Sequence, residues 1–251
     1  MKSAGNMKSI TILFLTGLTL LFGSCSKNGS DSEESATTQN QMTMEENEVI
    51  RLENLDYLAL GDSYTIGEGV DEEMRWPNQL AARLETVNVG IKKVEIIART
   101  GWTTRNLLDG IEARNPEKND LVSLLIGVNN QYQKLPFSKF EDEFGILWQK
   151  AIELAGTKER VFVVSIPDYG VTPFGSGDPE GIGKEIDRYN GHIKEVCEAE
   201  GIPFVDITGI SRELGAADGA LAADRLHPSG GQYTAWTEAI LPVVIDLLRN
   251  D

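Results

Sequence analysis

From about Arg51 onward, short apolar runs alternate with longer stretches of helical period. The runs Tyr57–Gly61, Val94–Ala98, Asp120–Ile126, Arg160–Ile166 and Pro203–Asp206 are brief and rich in apolar or β-branched residues, which predicts strands. Leu121-Val122-Ser123-Leu124-Leu125-Ile126 is almost continuously apolar, as a strand covered on both faces must be. Between these runs, Trp76–Glu85, Thr103–Ala113, Ser138–Ala155 and Pro179–Glu200 have the period of helices buried on one side. In the last of them, Ile182, Ile186, Tyr189, Ile193 and Val196/Cys197 make one apolar stripe and leave His192 at its flank. A final helix is expected to begin at Pro228, a favourable first-turn residue, and to bury Trp236, Ile240, Val243/Val244 and Leu247. Five strands alternating with helices predict an α/β fold, a parallel sheet with helices on both faces, in one domain.

The first fifty residues do not share this pattern. Lys2 and Lys8 precede the apolar run from Ile10 to Phe22, which is short for a membrane span and has the form of a secretory signal. It ends in Gly23-Ser24-Cys25, small residues before a cysteine, and resembles a bacterial lipoprotein signal. That resemblance implies removal of residues 1–24 and lipidation of Cys25, with a soluble periplasmic protein cut near Ser24 as the alternative. From Ser26 to about Asn47 the chain is polar and nearly free of apolar side chains, so it cannot offset the entropy of ordering; a disordered tether over residues 25–50 is expected. The folded domain is then 51–251, in the bacterial cell envelope, touching the membrane only through an N-terminal lipid anchor.

Charge narrows the partners. With 39 acidic against 23 basic residues the formal charge is −16, a surface that repels nucleic acid and anionic bilayers. Two cysteines, Cys25 and Cys197, and two histidines, His192 and His227, provide no cluster of metal-ligand spacing. No metal and no cofactor are expected.

Candidate chemistry gathers at the ends of the predicted strands, where open α/β sheets place their ligands. Gly61-Asp62-Ser63-Tyr64 follows the first, Arg99-Thr100-Gly101-Trp102 the second and Gly127-Val128-Asn129-Asn130 the third; Asp224-Arg225-Leu226-His227 precedes the last helix. A serine hydroxyl needs a base to become a nucleophile, and His227 is the natural one. Asp224, three residues earlier, can accept from the other ring nitrogen and fix the tautomer. The N–H of Ser63, the N–H of Gly101 and the side-chain NH₂ of Asn129 are candidate donors to an oxyanion. Taken singly, each of these motifs also reads as an ordinary turn or helix cap. Their joint order along the chain is harder to explain that way.

These four blocks resemble those of the SGNH hydrolases, or GDSL esterases and lipases, over about residues 55–250. Ser63 matches the block-one nucleophile, with Tyr64 where Leu gives the family its name; Gly101 matches block two, Asn129 block three, and Asp224 and His227 the D-x-x-H of block five. The resemblance implies a flavodoxin-like three-layer α/β/α sandwich on a five-stranded parallel sheet, no metal, and ester or thioester hydrolysis through an acyl-enzyme. Two further positions depart from the family pattern: Asn130 replaces the usual Asp of block three, and Trp102 is a bulky neighbour of Gly101 that either narrows the acyl pocket or packs in the core.

Tyr169 and Phe174, in the long loop Pro167–Pro179, and Tyr132 are candidate walls of a small acyl site. Nothing suggests a long apolar tunnel, which favours short acyl groups on a small-molecule or glycan-linked ester. The alternatives are a thioesterase or lysophospholipase of the same fold, or a non-catalytic lipoprotein that binds acylated glycans. A monomer is expected.

Overall fold

The computed structural model describes residues 52–249. The proposed signal segment, tether and Cys25 lie outside them. Five strands, β1 (Leu52–Gly61), β2 (Val89–Ala98), β3 (Leu121–Leu125), β4 (Val161–Val164) and β5 (Phe204–Val205), form one sheet in the order β2-β1-β3-β4-β5. Every pairing is parallel. The helices are α1 (Ser63–Ile66), α2 (Trp76–Glu85), α3 (Thr104–Arg114), α4 (Val128–Tyr132), α5 (Phe137–Ala155), α6 (Pro179–Glu200), α7 (Thr208–Leu214) and α8 (Gly230–Arg249).

The strand order decides where the layers lie. The chain moves from β1 outward to β2, then returns across β1 to β3. Because such crossovers are right-handed, the reversal puts α2 and α3 on opposite faces of the sheet. On one face α2 packs with α8; on the other α3 packs with α5, and Phe137 and Phe140 of α5 meet Tyr189 of α6. The result is the expected three-layer α/β/α sandwich. Its core is the sheet: Tyr57 to Leu60, Leu121, Val122, Leu124, Leu125 and Val161 to Val164 are essentially inaccessible. One polar pair is enclosed among them, Tyr57 Oη and Ser123 Oγ at 2.8 Å, each satisfying the other across neighbouring strands.

Departures from the expected elements occur mostly at the ends. β1 and β2 each begin five residues early, in a half-exposed extension whose register shifts around Asn54, a residue with φ of 63°. The helix α8 starts at Gly230 rather than Pro228. Pro228 instead forms an antiparallel bridge with Leu221, so its ring fixes a loop rather than a first helical turn. Within α8, Leu248 rather than Leu247 completes the buried stripe, four residues on from Val244. Cys197, the one cysteine among the described residues, is buried on α6, and burial raises its thiol to about 12. Among the described residues no helix is long and apolar enough to cross a membrane.

Candidate active site

Register brings the first three motifs together. Gly61 at the end of β1 is level with Ala98 on β2 and Leu125 on β3. Ser63, Gly101 and Asn129 therefore leave the sheet from one line, at the crevice beside β1 where the strand order reverses.

The turn after β1 is tight. A Cβ on Gly61 would come within 2.1 Å of the Thr65 hydroxyl and 2.6 Å of the Leu125 carbonyl, so only glycine lets α1 fold back against the sheet. Asp62 caps α1, accepting the Tyr64 N–H at 3.0 Å. As the first residue of α1, Ser63 has no intrahelical acceptor for its N–H, and the cap takes the Tyr64 N–H instead. Asp62 is fully buried, and desolvation raises its carboxyl from 3.8 to about 7 in spite of the bond from Tyr64. Its second oxygen has no hydrogen-bond partner.

Gly101 lies in the turn closed by Trp102 N–H on the Arg99 carbonyl. Its φ of 83° is the reason for glycine here, since an added Cβ would meet no protein atom. The carbonyls of this turn point to the loop after β3: Asn129 Nδ2 donates to the Trp102 carbonyl at 3.0 Å and Gln133 Nε2 to that of Gly101 at 3.3 Å. One N–H of the Asn129 amide is thus used to fix its orientation, and the second is left to donate. Trp102 itself turns away from the site. Its indole lies over Gly110 of α3, where a Cβ would come within 2.3 Å of the ring, so it packs and does not narrow the pocket.

Asn130 takes no part in holding Asn129. It is fully buried, accepts the Thr104 N–H at 3.0 Å and donates to the Thr104 hydroxyl at 2.7 Å. That hydroxyl in turn donates to Glu143 of α5, whose other oxygen is 3.7 Å from Lys139 Nζ. An Asp at this position, the usual family residue, could not donate to Thr104 and would place a second carboxylate near Glu143. The link from Asn130 through Thr104 to Glu143 could not be anticipated from the sequence, because its members lie on three different helices.

The fourth motif arrives on a closed loop. Ala222 N–H bonds the His227 carbonyl at 2.8 Å and Ser229 N–H bonds the Ala220 carbonyl at 2.9 Å, enclosing Asp224 and His227. Asp224 Oδ1 accepts the N–H groups of Leu226 and His227, at 2.9 and 3.0 Å, and Oδ2 lies 2.6 Å from His227 Nδ1. Burial pushes the Asp224 carboxyl up, but the bond to His227 and the two backbone N–H bonds outweigh it and hold the group below the usual carboxylate range. The imidazole is 7% exposed and packs on the Tyr64 ring at 5.4 Å.

Ser63, Gly101, Asn129 and His227 all line one pocket of about 210 Å³, closed by Tyr64, Thr100, Val128, Leu226 and the three aromatics Tyr132, Tyr169 and Phe174. The sequence pointed to these aromatics as walls; Thr100, Val128 and Leu226 join them unforeseen, each adjacent to a candidate residue. Thr100 donates to Glu68, which ties the loop after α1 to the Gly101 turn. The loop Pro167–Pro179 is pinned from beneath: Asp168 accepts Gly170 N–H at 2.8 Å and Arg212 Nε at 2.9 Å, and Arg212 also reaches Asp187 at 2.7 Å. His192 lies elsewhere, edge-on to Phe137, Phe140 and Phe144. Among the described residues no group of His, Cys, Asp and Glu could hold a metal ion.

Comparison with known proteins agrees with this layout. Residues 59–235 match the GDSL-like Lipase/Acylhydrolase family. The fold resembles the structure of TesA, at 22% identity and TM-score 0.61, over 76% of this chain and 99% of that one. It also resembles Axe2, an acetylxylan esterase from Geobacillus stearothermophilus, at 19% identity and TM-score 0.60, over 78% and 96% of the two chains. A third similar structure is the psychrotrophic esterase EstA from Pseudoalteromonas sp., inhibited by monoethylphosphonate, at 16% identity and TM-score 0.55, over 79% and 100%. No curated protein sequence matches the chain. With the profile spanning well over half of the residues, the chain belongs to the GDSL-like lipase/acylhydrolase family of serine ester hydrolases.

Proposed function

We propose that the protein is an esterase that removes short acyl groups from small-molecule or glycan-linked esters through an acyl-enzyme. One observation carries this reading: a serine, an imidazole already paired to a carboxylate at 2.6 Å, and the three candidate oxyanion donors converge on a single small pocket.

His227 takes the Ser63 proton on the ring nitrogen opposite Asp224 as Ser63 Oγ bonds the ester carbonyl carbon. The electron pair displaced onto the carbonyl oxygen is met by the N–H groups of Ser63 and Gly101 and by the Asn129 amide. Collapse of this intermediate breaks the bond to the alcohol oxygen, which leaves with the proton from His227. Water then repeats the sequence on the acyl-enzyme, giving the carboxylic acid and free Ser63. Asp224 stays ionised throughout and stabilises the imidazolium. A pocket of about 210 Å³ walled by large aromatic rings suits acetyl-sized groups rather than long chains. Axe2 and EstA, by their names, act on esters too.

The test is Ser63→Ala with p-nitrophenyl acetate and longer-chain homologues. Loss of turnover with an unchanged circular dichroism spectrum supports the reading, as does a rate that falls with chain length; turnover equal to wild type in the variant overturns it. We further propose that Cys25 anchors the domain in the cell envelope. Labelled palmitate should enter the wild-type protein and not Cys25→Ala, and equal labelling of both would exclude the anchor.

A further inference from the structure

We infer that the alcohol side of the substrate is a carbohydrate, held in a groove that continues from the catalytic pocket along the start of α6. This rests on the esterase reading above and goes beyond it by naming the leaving group.

Tyr132 and Tyr169 line the catalytic pocket on one side and a second, larger cavity of about 640 Å³ on the other. The two spaces are therefore adjacent across one aromatic wall, and the outer one falls in the size range of ligand sites. On the Tyr132 side the wall is left open to solvent, while Tyr169 is buried. Tyr132 and Phe174 are 52% and 51% exposed, two of the large apolar side chains that the described residues leave uncovered, and their rings lie 5.7 Å apart. Exposed aromatic faces grouped beside a catalytic serine mark a contact surface. The wall is also firmly placed, since Tyr169 Oη donates to Gln131 at 2.8 Å and Tyr132 stands edge-on to Tyr169.

The chemistry of the outer groove selects among occupants. Beyond the two tyrosines of the wall it is bordered by Gln131, by the charged Lys134, Asp178, Lys184 and Glu185, and by the apolar Leu135 and Ile182. A long acyl chain there would strip water from amide, ammonium and carboxylate groups and offer them nothing in return. A strongly anionic group would meet Asp178 and Glu185, and a cation would meet Lys134 and Lys184. A neutral ligand with many hydroxyls gives each of these groups a partner, because a hydroxyl both donates and accepts. Its ring C–H face supplies the apolar cover that the exposed Tyr132 ring lacks. A sugar ring combines both properties.

The experiment compares partially acetylated xylotriose and cellotriose with p-nitrophenyl acetate and ethyl acetate. Lys184→Ala/Glu185→Ala is the variant, since both residues lie on α6 outside the catalytic pocket and alanine preserves the helix. The expected result is a KM for at least one acetylated trisaccharide raised about tenfold in the variant, with kcat and the p-nitrophenyl acetate kinetics unchanged. Equal changes on both substrate types, no change on either, or wild-type kcat/KM on the trisaccharides no higher than on ethyl acetate would each overturn the inference. Should the wild type hydrolyse none of these esters, the esterase reading fails separately. The groove is then judged by saturation-transfer NMR with the same trisaccharides: a signal weakened by the double substitution supports it, and no signal at millimolar ligand overturns it.

Discussion

Asp224 holds His227 at two points, the backbone N–H through Oδ1 at 3.0 Å and the ring Nδ1 through Oδ2 at 2.6 Å. One carboxylate thus sets both the position of the imidazole and its tautomer. Asp224→Asn leaves an amide oxygen for the backbone bonds but turns an NH₂ toward Nδ1, forcing the proton onto the nitrogen that must accept from Ser63. The variant should fold normally and lose kcat by roughly 10³- to 10⁴-fold. Steady-state kinetics beside a thermal melt checks this, and a kcat within tenfold of wild type would contradict the role.

Asn129 has one N–H committed to the Trp102 carbonyl and one left for an oxyanion. Asn129→Ala should lower kcat about 10²- to 10³-fold with little change in KM, because the lost contact strengthens only in the transition state. A change confined to KM would instead assign Asn129 to ground-state binding.

Asp62 gives a pH signature. Its folded carboxyl titrates at about 7 against 3.8 for the ordinary group, so across that window the native chain binds more protons than the unfolded one. The contribution of this residue to stability is complete below the lower value and is lost as pH rises through the upper one. Asparagine keeps an oxygen for the Tyr64 N–H and cannot ionise. The melting temperature of Asp62→Asn relative to wild type should therefore climb from about pH 5 to about pH 8. A constant difference across that range would mean that Asp62 is not the group responsible.

Asn130→Asp tests the buried chain that runs through Thr104 to Glu143. The substitution removes a donor and leaves the Thr104 hydroxyl to serve one of two carboxylates, a loss of about 1–3 kcal/mol. Adding Glu143→Gln should recover part of that loss. Urea unfolding of the two single variants and the double variant reads the coupling directly, and strict additivity would exclude a shared network.

The sheet and its order of motifs were legible because a strand fully covered by helices has to be apolar, and the break to Gly-Asp-Ser or Gly-Val-Asn marks where cover ends. Long helices were legible for a related reason: α2 and α6 carry several turns of period and match the predicted spans end to end. The helices α1 and α4, of four and five residues, are shorter than any period can register, although they carry Ser63 and Asn129. The Asp224–His227 segment was read as the head of a helix because proline after histidine is good helix-start chemistry. The bridge from Leu221 to Pro228 overrode that preference, and such a pairing leaves no local trace. The aromatic wall was visible as residues but not as a partition between two spaces, since that depends on where the loop Pro167–Pro179 meets α4 and the residues just after it.

The loop that carries the base has its own fate. Ser63 follows a strand locked between two neighbours, whereas the segment from Ala220 to Ser229 is held by backbone bonds, by the Gln232 side chain on the Ala220 carbonyl and by the packing of buried His227 on Tyr64. Opening this segment needs none of the sheet to separate, so it belongs to the low-energy end of the molecule's local unfolding spectrum. Heat or denaturant should therefore disarm the enzyme before melting it. The inactive protein in that interval would still hold an ordered nucleophile and could regain its base on cooling without refolding.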